Sequence, residues 1–405
     1  MKSFPHPERI AALKPTAVNR VLEEVRSLQR DGKKLVSLMR GQPDSSTPGH
    51  IVEAAIAALG AGRTGYADNR GEPALREAVA EKLHRSHGLR YDPAEEILIT
   101  DGATLGVYIA LGALLSSGDE VIVPAPIYDA YEAVILLWGG VPRFVPGEID
   151  QGRFSLDPRK LEAACTPKTR LLLLNSPWNP VGSVLAKTEI EHLADLAERF
   201  NLVIISDEIY DSLVYDGRRH LTPAALCRDR TVVVNSLSKT YAMTGWRVGY
   251  CAGPEPIIRS MFLLLQQSSR GPATFVQDAA SAALQGDQTC VEYMRQEFQR
   301  RRDFVVAQLE GIDGVRTLVP EGGLFVMLDV RGLGRTSDEI RRFLLHDAGV
   351  VVLHGSAYGE AGEGMLRVSF AAGGDTLEQG VALLKAGLEK LSQTPSASPI
   401  SPQPR

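Results

Sequence analysis

"TVVVNSLSKTYAMTGWRVGYCAG", residues 231–253, holds two apolar runs separated by a short polar connection that carries Lys239 and Arg247. Both runs, "TVVVNS" (231–236) and "VGYCAG" (248–253), read as buried strands. The segment between them is too short for the long crossover that two parallel neighbours need, so one of the pair is expected to run antiparallel. A lone lysine is usually a solvated surface charge. Lys239 instead follows directly on the end of a strand, with an arginine eight residues later.

Outward from this pair the pattern repeats. "EEILIT" (95–100), "EVIVPA" (120–125), "RLLLLNS" (170–176) and "LVIISDE" (202–208) are nearly continuous in Val, Ile and Leu. Helical apolar spacing fills several intervals, including 104–116 and 187–200. Strand–helix alternation of this kind predicts an α/β fold, a mostly parallel sheet covered by helices on both faces. After about residue 290 a long charged helix, "VEYMRQEFQRRRDFVVAQLEG", leads into "GGLFVMLDV" (322–330), a helix near 337–347, "GVVVL", "MLRVSF" and a closing helix, "TLEQGVALLKAGLEKL". This reads as a smaller α+β unit packed with the N-terminal segment. The expected division is an N-terminal arm with part of the small domain (1–47), a large domain (48–289), a C-terminal small domain (290–392) and a disordered Pro/Ser-rich tail (393–405).

Composition narrows the function. The 405 residues are 44% hydrophobic and 23% charged, as in ordinary globular proteins. A net charge of −5 lacks the basic excess that nucleic acid or an anionic membrane would demand. Cys165, Cys227, Cys251 and Cys290 lie far apart with no CxxC, which fits a reducing cytoplasm; the histidines form no metal-ligand spacing. The first residues lack a signal peptide's apolar core, and no apolar run reaches the length of a membrane span.

In open α/β sheets ligands bind beyond the carboxyl ends of the strands, and here those ends are polar. "DGAT" (101–104) opens a helix whose free N–H groups suit a phosphate. "NSPWNPVG" (175–182) reads as a turn that leaves the Asn179 amide free, and Asp207, Glu208 and Tyr210 follow the next strand. Asp207 can cap a helix or hold a protonated heterocyclic nitrogen. Lys239, desolvated near other cations, has a lowered pKa and becomes nucleophilic towards an aldehyde, while Arg247 suits a phosphate.

Taken in order, "GQPD", "GYADNRG", "DGAT", "APIYDAY", "NSPWNPVG", "SDEIY", Ser-x-x-Lys with Arg eight residues on, and "GEGMLRVSF" resemble the fold-type I pyridoxal-phosphate enzymes, specifically the class I/II aminotransferases of the aspartate aminotransferase family. The likeness spans roughly residues 30 to 390. "YADNRG", "NSLSK", "AMTGWRVG" and "GGLFVMLDV" look most like the arginine:pyruvate branch.

The resemblance implies a pyridoxal 5'-phosphate enzyme that passes the amino group of an L-amino acid to a 2-oxo acid in ping-pong fashion. Lys239 would hold the cofactor as an internal aldimine and then move the Cα proton. Asp207 would pair with the pyridine nitrogen, and Tyr210 and Asn179 with the phenolic oxygen, while Tyr128 stacks on the ring. Ala103, Thr104, Ser236 and Arg247 would hold the phosphate, joined by Tyr66 from the other subunit of a homodimer. Arg367 would take the substrate carboxylate beside Gly41, where a side chain would crowd that carboxylate. Thr104 stands where some aspartate-acting relatives place a lysine, which argues against a dicarboxylic donor. Trp178 is expected to narrow the pocket or offer a face to the substrate side chain.

A lyase, racemase or oxidase using the same lysine is the alternative within the fold. A ligand-sensing DNA-binding regulator lacks its N-terminal module, and a dinucleotide dehydrogenase lacks G-x-G-x-x-G after the first strands.

Overall fold

A computed structural model describes residues 7, 10, 13, 15–150 and 152–394. The tail expected over 393–405 lies outside the described residues from 395 on.

Seven strands form the large sheet: β1 (Ile97–Thr100), β2 (Glu120–Ala125), β3 (Val141–Pro146), β4 (Thr169–Asn175), β5 (Val203–Asp207), β6 (Thr231–Ser236) and β7 (Gly249–Ala252). Their order is β1-β7-β6-β5-β4-β2-β3. β3, β2, β4, β5 and β6 pair in parallel, and β7 runs antiparallel to both β6 and β1. The tight connection between β6 and β7 therefore carries the reversal its length predicts.

Continuous apolar runs are explained by burial on both faces. Leu171 and Leu173 of β4 pack with Ile205 and Val232 beneath the helices Ala103–Leu114 and Glu255–Ser268. Leu172 and Leu174 turn the other way, onto the helix Lys187–Arg199. At the far side, Ile97, Ile99 and Tyr250 meet the helices Gly49–Gly60, Pro73–His87 and Thr274–Gln285.

A second, antiparallel sheet is built from β8 (Arg316–Leu318), β9 (Phe325–Asp329), β10 (Leu353–His354) and β11 (Met365–Ser369), in the order β8-β9-β11-β10. The helices Thr289–Leu309 and Gly374–Ser392 share its core. The helix predicted near 337–347 is α-helical over Ser337–Phe343 and continues as a wider π turn over Leu344–Ala348. The N-terminal segment joins this unit as expected: Val36–Ser37 pairs in parallel with Val350–Val351, and Val21 and Val25 pack against Leu345 and Leu353. No helix among the described residues is long and apolar enough to cross a membrane.

Candidate active site

The ends of β4, β5 and β6 and the turn after β1 open into one cavity of about 490 Å³, walled on the opposite side by Phe325 of β9 and Arg367 of β11. Gly41, Ala103, Thr104, Tyr128 and Asn179 line it, as do Asp207, Tyr210, Ser236, Lys239 and Arg247. The sequence-predicted residues are thus gathered in one place, with a single exception. Tyr66 is 89% exposed on the outer surface, its ring 5.4 Å from the Arg270 guanidinium.

Lys239 lies on the single helical turn that follows β6. Its Nζ donates to the carbonyl oxygen of Gly41 at 2.5 Å. Burial, then the nearby charges of Arg367 and Arg247, push the ammonium down to about 8. A lysine so placed is neutral often enough at ordinary pH to act as a nucleophile.

Asp207 ends β5 and is buried. Its Oδ2 accepts from the Tyr131 hydroxyl at 2.7 Å, and its Oδ1 accepts from the Ile209 N–H at 3.2 Å. Burial pushes this carboxyl up to about 6, against the two hydrogen bonds. The next residue, Glu208, serves a different purpose. It accepts from Thr222 and Ser206 at 2.6 and 2.8 Å and meets His220 at 2.9 Å, in a closed network away from the cavity. Asn175 closes the gap between two predicted groups: its amide donates to the Asp207 carbonyl at 2.9 Å, and its Oδ1 accepts from the Asn179 N–H at 2.7 Å.

At the turn after β1 the backbone is left bare. Gly102 has φ +89°, and a Cβ there would come within 2.5 Å of Arg247 Nη2. Gly249 at the start of β7 has no room either, since a Cβ would meet Asn235 O at 2.7 Å and Ala103 N at 2.9 Å. The helix starting at Ala103 therefore points its unpaired first N–H groups, those of Ala103 and Thr104, at the cavity. Arg247, itself at φ +55°, is fixed beside them through Thr244 O and Asp101 O at 3.1 and 3.0 Å. The Ser236 hydroxyl donates to Ser238 Oγ at 2.8 Å.

Arg367 is buried on β11. It donates to Asn179 Oδ1 at 3.1 Å and to Met39 O at 3.0 Å, and its Nε has no partner among the described residues. The guanidinium lies over Phe325, 3.8 Å from the ring centroid, and 4.8 Å from that of Tyr358. Three polypeptide segments thus hold one cation in the wall of the cavity.

One reading needs correction. Trp178 does not present a face to the cavity: it is 4% exposed, donates to Pro126 O at 2.8 Å and packs edge-on to Phe154. At Gly41 a side chain would also collide with Phe325, whose Cζ would sit 2.2 Å from a Cβ. Sequence reasoning also missed Tyr131, Asn175, Asp129 and Tyr358. Tyr131 stands one helical turn after Tyr128, a spacing that puts both on one side of the chain.

Comparison with known proteins places this geometry. The family described as aminotransferase class I and II matches residues 33–383. The aspartate aminotransferase of Pyrococcus abyssi is 38% identical over 96% of this chain and 99% of its own. The arginine–pyruvate transaminase of Pseudomonas aeruginosa is 41% identical over 86% of this chain and 88% of its own. The solved aspartate aminotransferase of Rhizobium meliloti superposes with a TM-score of 0.92 at 34% identity, covering 96% of this chain and 99% of that one. The chain belongs to the class I and II aminotransferase family.

Proposed function

We infer that this aminotransferase uses pyridoxal 5'-phosphate and takes as donor an L-amino acid with a neutral or cationic side chain. The observation that carries the cofactor is the buried Asp207 carboxylate, which no cation bonds among the described residues, in the same cavity as a lysine with a depressed pKa. A buried carboxylate is costly without a cation, and a protonated ring nitrogen supplies one. Bare backbone at Gly102 beside Arg247 fits the phosphate group.

When bound, the cofactor supplies an aldehyde for the amino group and a protonated ring that withdraws the electron pair left at Cα. The chain's own residues do the rest. Lys239 would offer the amine that holds the cofactor and, as a free base, would accept the proton from the substrate Cα. Asp207 would keep the ring nitrogen protonated, Tyr210 and Asn179 would hydrogen-bond the phenolic oxygen, and Tyr128 would stack on the ring. The N–H groups of Ala103 and Thr104, with Ser236 and Arg247, would hold the phosphate dianion. Arg367 fixes the substrate carboxylate beside Gly41. One pocket serves donor and acceptor in turn, which gives ping-pong kinetics.

Charge balance in the cavity supports the donor class. Its lining cations are Lys239, Arg247 and Arg367, each with a role, and Thr104 adds none. One lining carboxylate, Asp129, has no role in cofactor binding. Relatives named for aspartate, aromatic amino acids and arginine share this scaffold, so side-chain preference rests on such local differences.

The exposed Tyr66 suits a contact made in the active site of a second subunit, so the functional form we propose is a homodimer with shared sites. The division at residues 47, 289 and 392 is kept as the domain plan. The four unpaired thiols favour a cytoplasmic setting.

The test is an absorbance spectrum of the purified protein with pyridoxal phosphate, followed as single L-amino acids are added. The expected result is a visible band that arginine or a neutral amino acid bleaches and a 2-oxo acid restores. A band that only aspartate or glutamate bleaches would overturn the donor class. Ammonia release or oxygen uptake in place of restoration would move the chemistry to a lyase or oxidase, and no band at all would remove the cofactor.

A further inference from the structure

Asp129 and Tyr358 line the cavity, and the expected contacts to cofactor and substrate carboxylate leave both without a task. Asp129 directly precedes the helix Ala130–Leu137 and is half-buried. It bonds no lysine, arginine or histidine among the described residues, and burial pushes its carboxyl up, against the nearby charge of Arg367 and the hydroxyl of Thr16. Tyr358 ends the short turn Gly355–Tyr358 and is 1% exposed, yet its hydroxyl has no hydrogen-bond partner among the described residues. The Ile127 N–H donates to the Tyr358 carbonyl oxygen at 2.9 Å, which ties the segment carrying Asp129 to that turn.

We propose that Asp129 and Tyr358 form the subsite for the donor's side chain and select a cationic one, a guanidinium or an ammonium. The carboxylate is the counter-charge, and the phenol oxygen accepts an N–H. The inference rests on the functional reading above and narrows its donor class from neutral or cationic to cationic. Both groups lie close to Arg367: its guanidinium is 4.8 Å from the Tyr358 ring centroid, and its charge acts on Asp129. A substrate anchored by its carboxylate on Arg367 is therefore within a side chain's reach of both.

Charge balance decides between donors. Before substrate arrives, Arg367 offsets part of the cost of keeping Asp129 ionised. Once the substrate carboxylate pairs with Arg367 that compensation is lost, and a half-buried carboxylate without a cation is costly. A neutral donor leaves it so. A cationic side chain restores the balance and gives the Tyr358 hydroxyl a partner. An aspartate or glutamate side chain would add a second negative charge beside the first.

The experiment compares wild type, D129N and Y358F as holoenzymes, reading kcat/KM of the donor half-reaction from the visible band. Each cationic donor is paired with an uncharged match of similar shape, L-arginine with L-citrulline and L-lysine with L-norleucine. Wild type is expected to favour at least one cation over its match roughly tenfold or more, and the pair that shows it tells guanidinium from ammonium. D129N should lower that ratio roughly 10- to 100-fold, and Y358F should lower it by less. A wild-type ratio near one in both pairs would overturn the proposal. So would a ratio in D129N or Y358F equal to wild type, because Asp129 would then act only on Arg367, or the phenol only pack. If D129N fails to load cofactor, Y358F decides: a high wild-type ratio that falls in Y358F supports the subsite, and an unchanged one sinks it. Neutral donors that match the cations would sink this inference and leave the broader donor class standing. A band that only aspartate or glutamate bleaches, or no band, would fail the functional reading itself.

Discussion

Lys239 and Gly41 stand 198 positions apart in the chain, and the ammonium of the first donates to the carbonyl oxygen of the second at 2.5 Å. The acceptor is a neutral dipole, so it orients the lysine without supplying the counter-charge that would keep it protonated. With Arg367 and Arg247 nearby, burial then dominates, and Lys239 titrates near 8. The neutral amine is the nucleophile, and its fraction grows as pH rises. The rate at which apoenzyme captures pyridoxal phosphate should therefore climb through about pH 8 and level off above it. Stopped-flow absorbance checks this, with K239A as the inert control; a rate still climbing steeply at pH 10 would mean an unshifted lysine.

Asp207 makes the opposite kind of prediction, one about stability. Its folded-state carboxyl is raised to about 6 from 3.8. The folded apoenzyme thus binds a proton that the unfolded chain has already lost between those values. Stability of the apoenzyme should fall as pH rises from about 4 to about 6, by an amount on the order of 3 kcal/mol for this group. D207N should flatten that slope and stabilise the apoenzyme at pH 7 while abolishing transamination. Urea titrations across the pH range decide it, and a D207N slope equal to wild type would refute the assignment.

Arg367 is held from two sides, by Asn179 and by the Met39 carbonyl, and stacked on Phe325. R367K keeps the charge but loses the planar fork and the stacking. Amino-acid binding should weaken roughly 10- to 100-fold, with the cofactor band unchanged in position. Saturation of the half-reaction measures this; an unchanged half-saturation would put the carboxylate elsewhere.

Trp178 belongs to the frame of the pocket. W178A should cost about 3–5 kcal/mol of stability through the cavity it leaves and the lost bond to Pro126 O. The ranking of amino-acid donors should stay as in wild type. A changed ranking with little loss of stability would return Trp178 to the substrate side chain.

The central strands were legible because burial on both faces demands unbroken Val, Ile and Leu, as in "LLLL" of β4 or "VVV" of β6. β3 was not. It is an edge strand, mostly exposed, with prolines at 142 and 146, and among the described residues it pairs with β2 alone. Neither its composition nor its period separates it from a loop. In the site, residues at strand ends announced themselves by being polar after an apolar run. Asn175 had that mark, yet its work is to tie Asp207 to Asn179, a contact that depends on how a turn folds back. Phe325 comes from the second sheet and Tyr358 from the short helical turn Gly355–Tyr358 after β10, and nothing in their local sequence says which side chain they meet. Trp178 misled because a large aromatic beside an active-site asparagine looks exposed until the loop is closed over it.

The reversal of β7 leaves one further mark. Ser236 and Gly249 sit opposite each other in the ladder, so the whole connection 237–248 must start and finish at adjacent strands. Within it ride both Lys239 and Arg247, and Gly249 is pinned by the helix that begins at Ala103. Surface loops elsewhere in a protein of this kind lengthen and shorten with little penalty. Here an added residue would have to be absorbed between two fixed strand ends, shifting the amine relative to the arginine. A connection that starts and finishes at neighbouring strands and carries two site cations has little freedom to change its length.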